Sequence, residues 1–531
     1  MYGRITGTAL AMFVASASLS SAQQPKPRVI HSAGNPILSD GSYYSADPDP
    51  IVVGDTLYIL AGRDEAPPDV NDFIMNEWQL FATKDVASKR WLHYPDILRP
   101  ETVFSWSKPG HAYAGQLVEG PDKRFYLYAP VEEGKREHAD PFVIGVAVSD
   151  SVLGPWKDAH PSGPIVSQSI PEPNKMQNID PTVMVDDDGR VYMYWGTFGR
   201  LRGIELERDM VTPKGSEVKV TTLSGFFEAA RLFRRKDTYY LLYADNRTGP
   251  QSPCTEAVYH ACIAYGTAQS PLGPCTYRGV ILDTVSSTTS HSGVIEFKGK
   301  SYIVYHTADA KGGDHFRRSV AIDTVQWDDS VSPARMLKVV QTHEPRLPLP
   351  PTRNIALAAR PTASNDPVPV QYWIKSLNDG VVRQNPLPPD MWGSWSPHNP
   401  AGQWIQYEWA MPVTLDGTRI MFWSDHPPGA NKGVAAPAAW RLEYWNVDQW
   451  SPVANSSGYP TPVGSFAEVT FDPVTTPCLR AVFDASGADG QFAGVAVQEW
   501  ETLATKVVEP TALQKLTMAA NAKSACPSTS P

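Results

Sequence analysis

Apolar and polar residues alternate in five separate stretches, each opened by a turn: GDTLYIL from Gly54, PDKRFYLYAP from Pro121, DDGRVYMYWGT from Asp187, KDTYYLLYA from Lys236 and KGKSYIVYHT from Lys298. Their tyrosines align at Tyr58, Tyr126, Tyr192, Tyr240 and Tyr302. A further alternating strand follows most copies, as in WQLFATKD from Trp78, IGVAVSDSVLGPW from Ile144, CIAYGTAQSPLGP from Cys262 and RSVAIDTVQW from Arg318. A period of two with Gly and Asp turns, and no long amphipathic helix, predicts an all-β array. Five units of about four strands each predict a five-bladed β-propeller.

Ten to twelve residues before each aligned tyrosine stands a polar residue at the start of an apolar run. These are Asp47 in YSADPDPI, Gln116 in YAGQLVE, Asp180 in NIDPTVMV, Glu228 in FFEAARLF and His291 in SHSGVIEF. In a propeller such runs are the innermost strands, and their equivalent positions converge on the axis. The repeat therefore predicts that three scattered acids share one end of a channel. An acid buried there is costly unless it is bonded, paired or used.

After RSVAIDTVQWDD comes the Pro-rich HEPRLPLPPTR from His343, read as a linker. Beyond it QWIQYEW, GTRIMFW, WRLEYW, FAEVTF, CLRAVF and GVAVQEW predict short strands of a β-sandwich of jelly-roll type. The predicted division is a leader at 1–22, a propeller at 30–345, a sandwich at 346–505 and a small, polar, poorly ordered tail at 506–531. A chain of 531 residues is more than one core usually serves, which agrees with two domains. Sixteen Trp and 22 Tyr supply aromatic surface, and a net charge of -10 excludes the basic face that nucleic acid or an anionic membrane requires. No apolar run reaches membrane-spanning length. Arg4, the apolar run after it, and Ser20 and Ala22 form an export signal with cleavage after Ala22, so a secreted or periplasmic protein is expected. Export permits disulfides among Cys254, Cys262, Cys275, Cys478 and Cys526, with the pairing open.

Convergent carboxyls suit glycosidic bond hydrolysis, where one acid protonates the leaving oxygen and a second activates water or attacks. Glu228 follows two phenylalanines, and an apolar setting raises a carboxyl pKa, as a general acid needs. Asp47 is the candidate base, and Asp180 is placed to tune Glu228. The blocks ADPDPIVVGDTLYIL, NIDPTVMVDDDGRVYMYWGT and FFEAARLFRRKDTYYLLYA resemble the acid-bearing blocks of glycoside hydrolase family 43. VSDSVLGPWKD, SHSGVIEFKGKSYIVYHT and the RRSV of Arg317 to Val320 resemble further blocks, in order, over residues 35–345. The resemblance implies a five-bladed propeller that hydrolyses arabinofuranosides or xylosides with inversion. It implies Asp47 as general base, Asp180 as pKa modulator, Glu228 as general acid and Arg318 as a sugar contact. It puts His291 where relatives hold an axial histidine linked to a structural calcium or its waters; a satisfied histidine without metal is the plainer alternative. No cofactor is expected for the chemistry itself.

Two departures from the pattern matter. Asp49 offers a second acid on the same strand face as Asp47, and AYAGQ in the second unit differs from relatives, which leaves the sugar contact of Gln116 open. Trp106 is a candidate aromatic wall for a sugar ring or a loop Trp covering the propeller. The C-terminal region resembles discoidin-like, galactose-binding-like sandwiches, in which Trp392, Trp395, Trp423 and Trp445 are candidates for sugar stacking or for core. The expected activity is that of an α-L-arabinofuranosidase acting on arabinoxylan, arabinan or xylan-type chains. The alternatives are a β-xylosidase or other exo-glycosidase, a retaining relative with an Asp nucleophile, and a non-catalytic sugar-binding propeller.

Overall fold

The computed structural model describes residues 26–526 apart from 69, 248–251, 255–260, 287–288, 344–350, 365–373, 384–385, 387–389, 397, 426–432 and 519–522. The proposed leader and the core of the Pro-rich linker lie outside the described residues. The tyrosine-bearing stretches are the second strands of five antiparallel blades. Their inner partners are Ala46–Val53, Gln116–Glu119, Thr182–Val185, Phe226–Arg235 and Ser292–Phe297. Ile51 faces Tyr58, Val118 faces Tyr126, Met184 faces Tyr192, Phe233 faces Tyr240 and Ile295 faces Tyr302. Each inner strand touches the next, and the fifth touches the first, so the ring is closed with five members.

Alternation in the sequence has a direct packing cause. Each blade buries one face on the blade before it and the other on the blade after. An apolar cluster fills every one of the five interfaces, from Leu60, Trp78 and Leu127 between blades one and two to Ile37, Phe81, Trp91 and Val304 between blades five and one. Blades two to four have four strands each, and blade one gains Arg28–His31 on its outer edge. Blade five has three strands, and the chain ahead of blade one completes it. Ile37 N donates to Val320 O and Ser45 N to Arg318 O, both at 2.8 Å. The Asn35 side chain stands in for a strand residue: Nδ2 donates to Ile322 O and Oδ1 accepts from Ile322 N, each at 2.9 Å. The ring is therefore sealed one residue before Ala46 and Asp47.

The C-terminal region is a β-sandwich in which one large sheet wraps over a core that includes Trp392, Trp409, Trp440, Trp500, Phe422 and Phe483, with a short separate hairpin of Gly487–Ala488 and Gln491–Phe492. QWIQYEW and GTRIMFW are not separate strands but parts of Gly402–Trp423, and FAEVTF and CLRAVF both lie in Ala467–Asp484. Register shifts after Glu408 and after Leu415 bend the longer strand. Pro412, which cannot donate to the ladder, sits in the first shift. Of the four tryptophans singled out for sugar, Trp392 is fully buried and packs on Phe483. Trp395 and Trp423 lie on Met391, Val434 and Ala496, and Trp445 meets Trp450 edge-on. The final strand runs on to Val508, and the described part of the expected loose tail is anchored. Helix Pro510–Leu516 buries Leu513 and Leu516 in the sandwich core, and Cys478 and Cys526 are joined in a disulfide. Cys254 pairs with Cys262, leaving Cys275 as a buried thiol.

Asn35→Ala removes both halves of the backbone-like pair that seals blade five. We expect a loss of about 1–3 kcal/mol in urea unfolding, with hydrogen exchange accelerated first at Ser319–Val325.

Candidate active site

Local irregularity turns the acids toward the axis. Asp47 and Asp180 have φ of +53° and +56°, a left-handed conformation uncommon outside glycine but tolerated by Asp, and each precedes a proline. A register shift separates Ala46 from Asp49, and two more flank Glu228, where Ala229 takes φ of +59°. Bulges re-aim side chains; those at Asp47 and Glu228, with the left-handed turn at Asp180, put the three acids on a cavity of about 460 Å³. His291, Arg318, Phe73, Tyr113, Phe198 and Phe227 share its lining.

The geometry is that of a charge cluster around one nitrogen. His291 Nε2 lies 3.6 Å from Asp47 Oδ1, 3.8 Å from Asp180 Oδ2 and 3.9 Å from Glu228 Oε1. Arg318, buried, donates from Nη1 to Asp47 Oδ1 at 2.8 Å. Its other edge is held by Asp64: Nε donates to Oδ2 at 2.8 Å and Nη2 to Oδ1 at 2.9 Å, while the Arg318 backbone N donates to Oδ2 at 2.8 Å. Phe73 lies under the guanidinium at 4.9 Å. His306 Nδ1 accepts from Asp47 N at 3.1 Å and its Nε2 faces Thr289 O at 2.9 Å, which fixes the proton on Nε2. Asp180 Oδ2 accepts from Ala229 N at 3.2 Å, and Thr197 Oγ1 donates to Glu228 Oε2 at 2.7 Å.

These contacts split the carboxyls into two kinds. Burial pushes Asp47 up, but the Arg318 guanidinium outweighs it and holds Asp47 below the ordinary carboxylate range. Burial pushes Glu228 up to about 7; the Thr197 hydroxyl opposes this and the Asp47 charge adds to it. Burial, then Glu228 and then Asp47 raise Asp180 well above its usual value. One oxygen of Asp180 and one of Glu228 lie within 4.8 Å of each other, so the charge on either carboxyl opposes ionisation of the other. Burial lowers both His291 and His306, leaving neutral imidazoles.

The structure separates the remaining candidates. Backbone pairing puts Gln116 opposite Tyr128, level with Asp49, Thr182, Arg231 and Gly293; the residue level with Asp47 on blade two is Ala114. Gln116 thus sits two residues below the cavity lining, and its Oε1 accepts from Val183 N of the next blade. Asp49 is likewise occupied: Oδ2 accepts from Leu117 N at 3.0 Å and Oδ1 lies 2.8 Å from Arg231 Nε. It does not line the cavity. Trp106 does not line it either, because it packs on Phe104 and over Gly145 inside blade two and donates from Nε1 to Asp158 Oδ2 at 3.0 Å. The site residues missed in the sequence are Asp64, Thr197 and His306. None stands at an inner-strand start, so the repeat could not flag them, and only the second strand's length hints that His306 reaches the axis.

The residues around His291 do not fit a calcium ion. Calcium takes six to eight oxygens at 2.3–2.6 Å. His291 Nε2 gathers one oxygen each of Asp180 and Glu228 within 4.8 Å, three donors of which one is a nitrogen, and the axial space of about 30 Å³ that Asp47, Asp180 and His291 share with Asp49 also holds the Arg231 guanidinium. No step below passes through a metal.

Residues 33–332 match the family model described as glycosyl hydrolases family 43. The chain belongs to this family. Among its relatives, a xylosidase/arabinosidase of Bacteroides ovatus is 29% identical over 335 residues, 54% of this chain and 92% of the relative. The xylosidase/arabinosidase 43A of Humicola insolens is 27% identical over 339 residues, with 54% and 94% covered. A solved family 43 β-xylosidase/α-arabinofuranosidase from a compost microbial metagenome is 24% identical, covers 59% of this chain and 98% of its own, and superposes with a TM-score of 0.48. The protein is a glycoside hydrolase, and the family 43 match spans the five blades but not the sandwich.

Asp64→Asn keeps the shape beside Arg318 and removes the charge that aligns it. We expect kcat/KM to fall roughly 10- to 100-fold, whereas Asp55→Asn, at an exposed turn, leaves kcat/KM unchanged in the same assay.

Proposed function

We propose that this family 43 glycoside hydrolase removes pentose units from plant polysaccharides with inversion, acting first as an α-L-arabinofuranosidase. The observation that carries the reading is the split between an ionised Asp47 and a proton-bearing Glu228 on one cavity. Both acids lie within 4 Å of His291 Nε2. Their separation is therefore at most the sum of those two contacts, which is compatible with the about 6.5–9.5 Å that leaves room for a water.

Glu228 gives its proton to the glycosidic oxygen as the bond to the anomeric carbon breaks. Asp47 takes a proton from a water that attacks that carbon from the opposite face, so the released sugar has the inverted anomeric configuration. Asp180, beside Glu228, keeps the proton on the acid until the bond begins to break. Arg318 Nη1 steers the base and reaches the sugar pocket, and this two-carboxyl chemistry asks for no cofactor. Phe198 and Phe227 meet edge to face at 5.6 Å on the rim beside Glu228, and Phe198 is 67% exposed. Because the leaving group departs on the acid's side, this pair is placed to stack against it. Arabinofuranoside is favoured over β-D-xyloside as the substrate; relatives named xylosidase/arabinosidase and arabinoxylan arabinofuranohydrolase support the pentoside class. We further propose export, on the basis of the N-terminal sequence.

A panel of aryl pentosides tests the sugar: α-L-arabinofuranoside is expected to be the best, and a preference for β-D-xyloside replaces the first reading with the second. Proton NMR of the first-formed anomer tests inversion; a retained configuration rejects it. The kcat/KM profile should lose activity as pH rises through about 7, where Glu228 loses its proton. Asp180→Asn, by removing the carboxyl that titrates against Glu228, should displace that limb from its position in the unmodified protein. Glu228→Gln should reduce kcat on a natural linkage by about 10²–10⁴. Phe198→Ala should raise KM about 3- to 10-fold on oligosaccharides and leave aryl substrates little changed.

A further inference from the structure

One level beneath the acids, the ring of inner-strand residues is built differently on its two sides. On blades one to three the side chain at that level accepts a hydrogen bond from the backbone of the following blade. Asp49 takes it from Leu117 N, Gln116 from Val183 N, and Thr182 Oγ1 from Leu232 N at 3.0 Å. Blades four and five present Arg231 and Gly293 at this level, and neither has an acceptor to offer. The pattern of braces therefore stops where the ring still has two joints to make.

Arg231 takes over there by crossing the axis. Its Nε reaches Asp49 Oδ1 at 2.8 Å, and Nη2 donates to Pro50 O at 3.4 Å, so blade four is tied to blade one past blade five. Gly293 makes the passage: a Cβ there would stand 2.4 Å from Pro50 Cδ and 3.4 Å from Arg231 Nε. The void left on the axis, about 30 Å³, is one water's share of volume. Asp47 and Asp180 also border that space, but Asp47 is held by Arg318 and Asp49 by Arg231, and these fixed guanidiniums oppose a further cation there.

We propose that Arg231 is the built-in cation of this propeller's axis, so that the fold and activity of the catalytic ring are independent of calcium. The positive charge that fastens the inner strands comes from the chain and is supplied during folding. Arg231 acts on the site only through Asp49 and the strand that carries Asp47, as a positioning residue.

The test uses the full chain, dialysed against EDTA and then titrated with CaCl₂ alone. Hydrogen exchange of peptides covering Ala46–Val53 and Phe226–Arg235 and kcat/KM are read side by side. For the unmodified protein, both are expected to be the same with chelator and with calcium. Arg231→Ala is expected to exchange at least about tenfold faster in those peptides under EDTA, and calcium should slow it, since Asp49 then faces an open hole. Arg231→Lys, which keeps the charge, should remain calcium-independent. Exchange or activity of the unmodified protein that responds to calcium overturns the proposal. So does an Arg231→Ala protein whose inner strands exchange as slowly as those of the unmodified one, or do not respond to calcium. If Arg231→Ala fails to fold, the chelation series on the unmodified protein and on Arg231→Lys still decides.

Discussion

Everything at the mouth of this propeller depends on how one buried guanidinium is neutralised. Taking Arg318 out of water costs several kcal/mol unless partners replace the lost hydration. Asp64 supplies a fork of two side-chain contacts and also accepts from the Arg318 backbone, leaving Nη1 free to hold Asp47. Asp47 is therefore ionised although it is buried. Its negative charge then raises Glu228 and Asp180, on top of the effect of burial. A single cation thus sets the charge state of the proposed base directly and that of the proposed acid indirectly. The split follows from burial, which raises all three carboxyls, and from one cation that reverses the effect at Asp47.

The two levels of inner-strand side chains divide the work. Asp47, Asp180, Glu228 and His291 lie at the upper level, where the backbone is kinked or bulged and side chains face the cavity. Asp49, Gln116, Thr182, Arg231 and Gly293 lie at the lower level, where pairing is regular and side chains bind neighbouring blades. Strain at the upper level is tolerable because the lower level fixes the strands two or three residues from it. Asp47 and Asp49 illustrate this most clearly. They are two residues apart and chemically identical, yet one is held ready by an arginine at the cavity and the other is spent on holding the ring.

Much of this was legible in the sequence. Period-two alternation repeated five times is a direct imprint of blades packed on both faces, and polar residues at strand starts marked the acids and His291. Gln116 was misread because the aligned tyrosines fix register only if no residue is inserted. The bulges at Asp47 and Glu228 shift the acids relative to the ladder, while blade two has no such shift. Trp106 was ambiguous for a different reason, since an aromatic in a loop carries no sign of which way it faces. Asp64 and Thr197 sit in connections, where no periodicity exists, and only the fold shows what they touch. In the sandwich the alternation was read correctly, but bent strands looked like separate ones because a register shift resembles a turn.

Asp47 and Arg318 stand 271 residues apart in the chain, and the segment that seals blade five ends just before Asp47. The charge pair at the site is therefore also the last joint of the ring. Until the strand after Arg318 has met the chain around Asn35, Asp47 lacks its cation, Arg318 lacks one of its two carboxylates, and the inner strands have a free edge. Such a distant pairing is slow to form, so the final stage of folding and the birth of a competent site are one event. A growing chain with four blades finished would hold Asp180 and Glu228 in place and still have no ionised partner for them. This topology ties catalytic competence to completion of the circle.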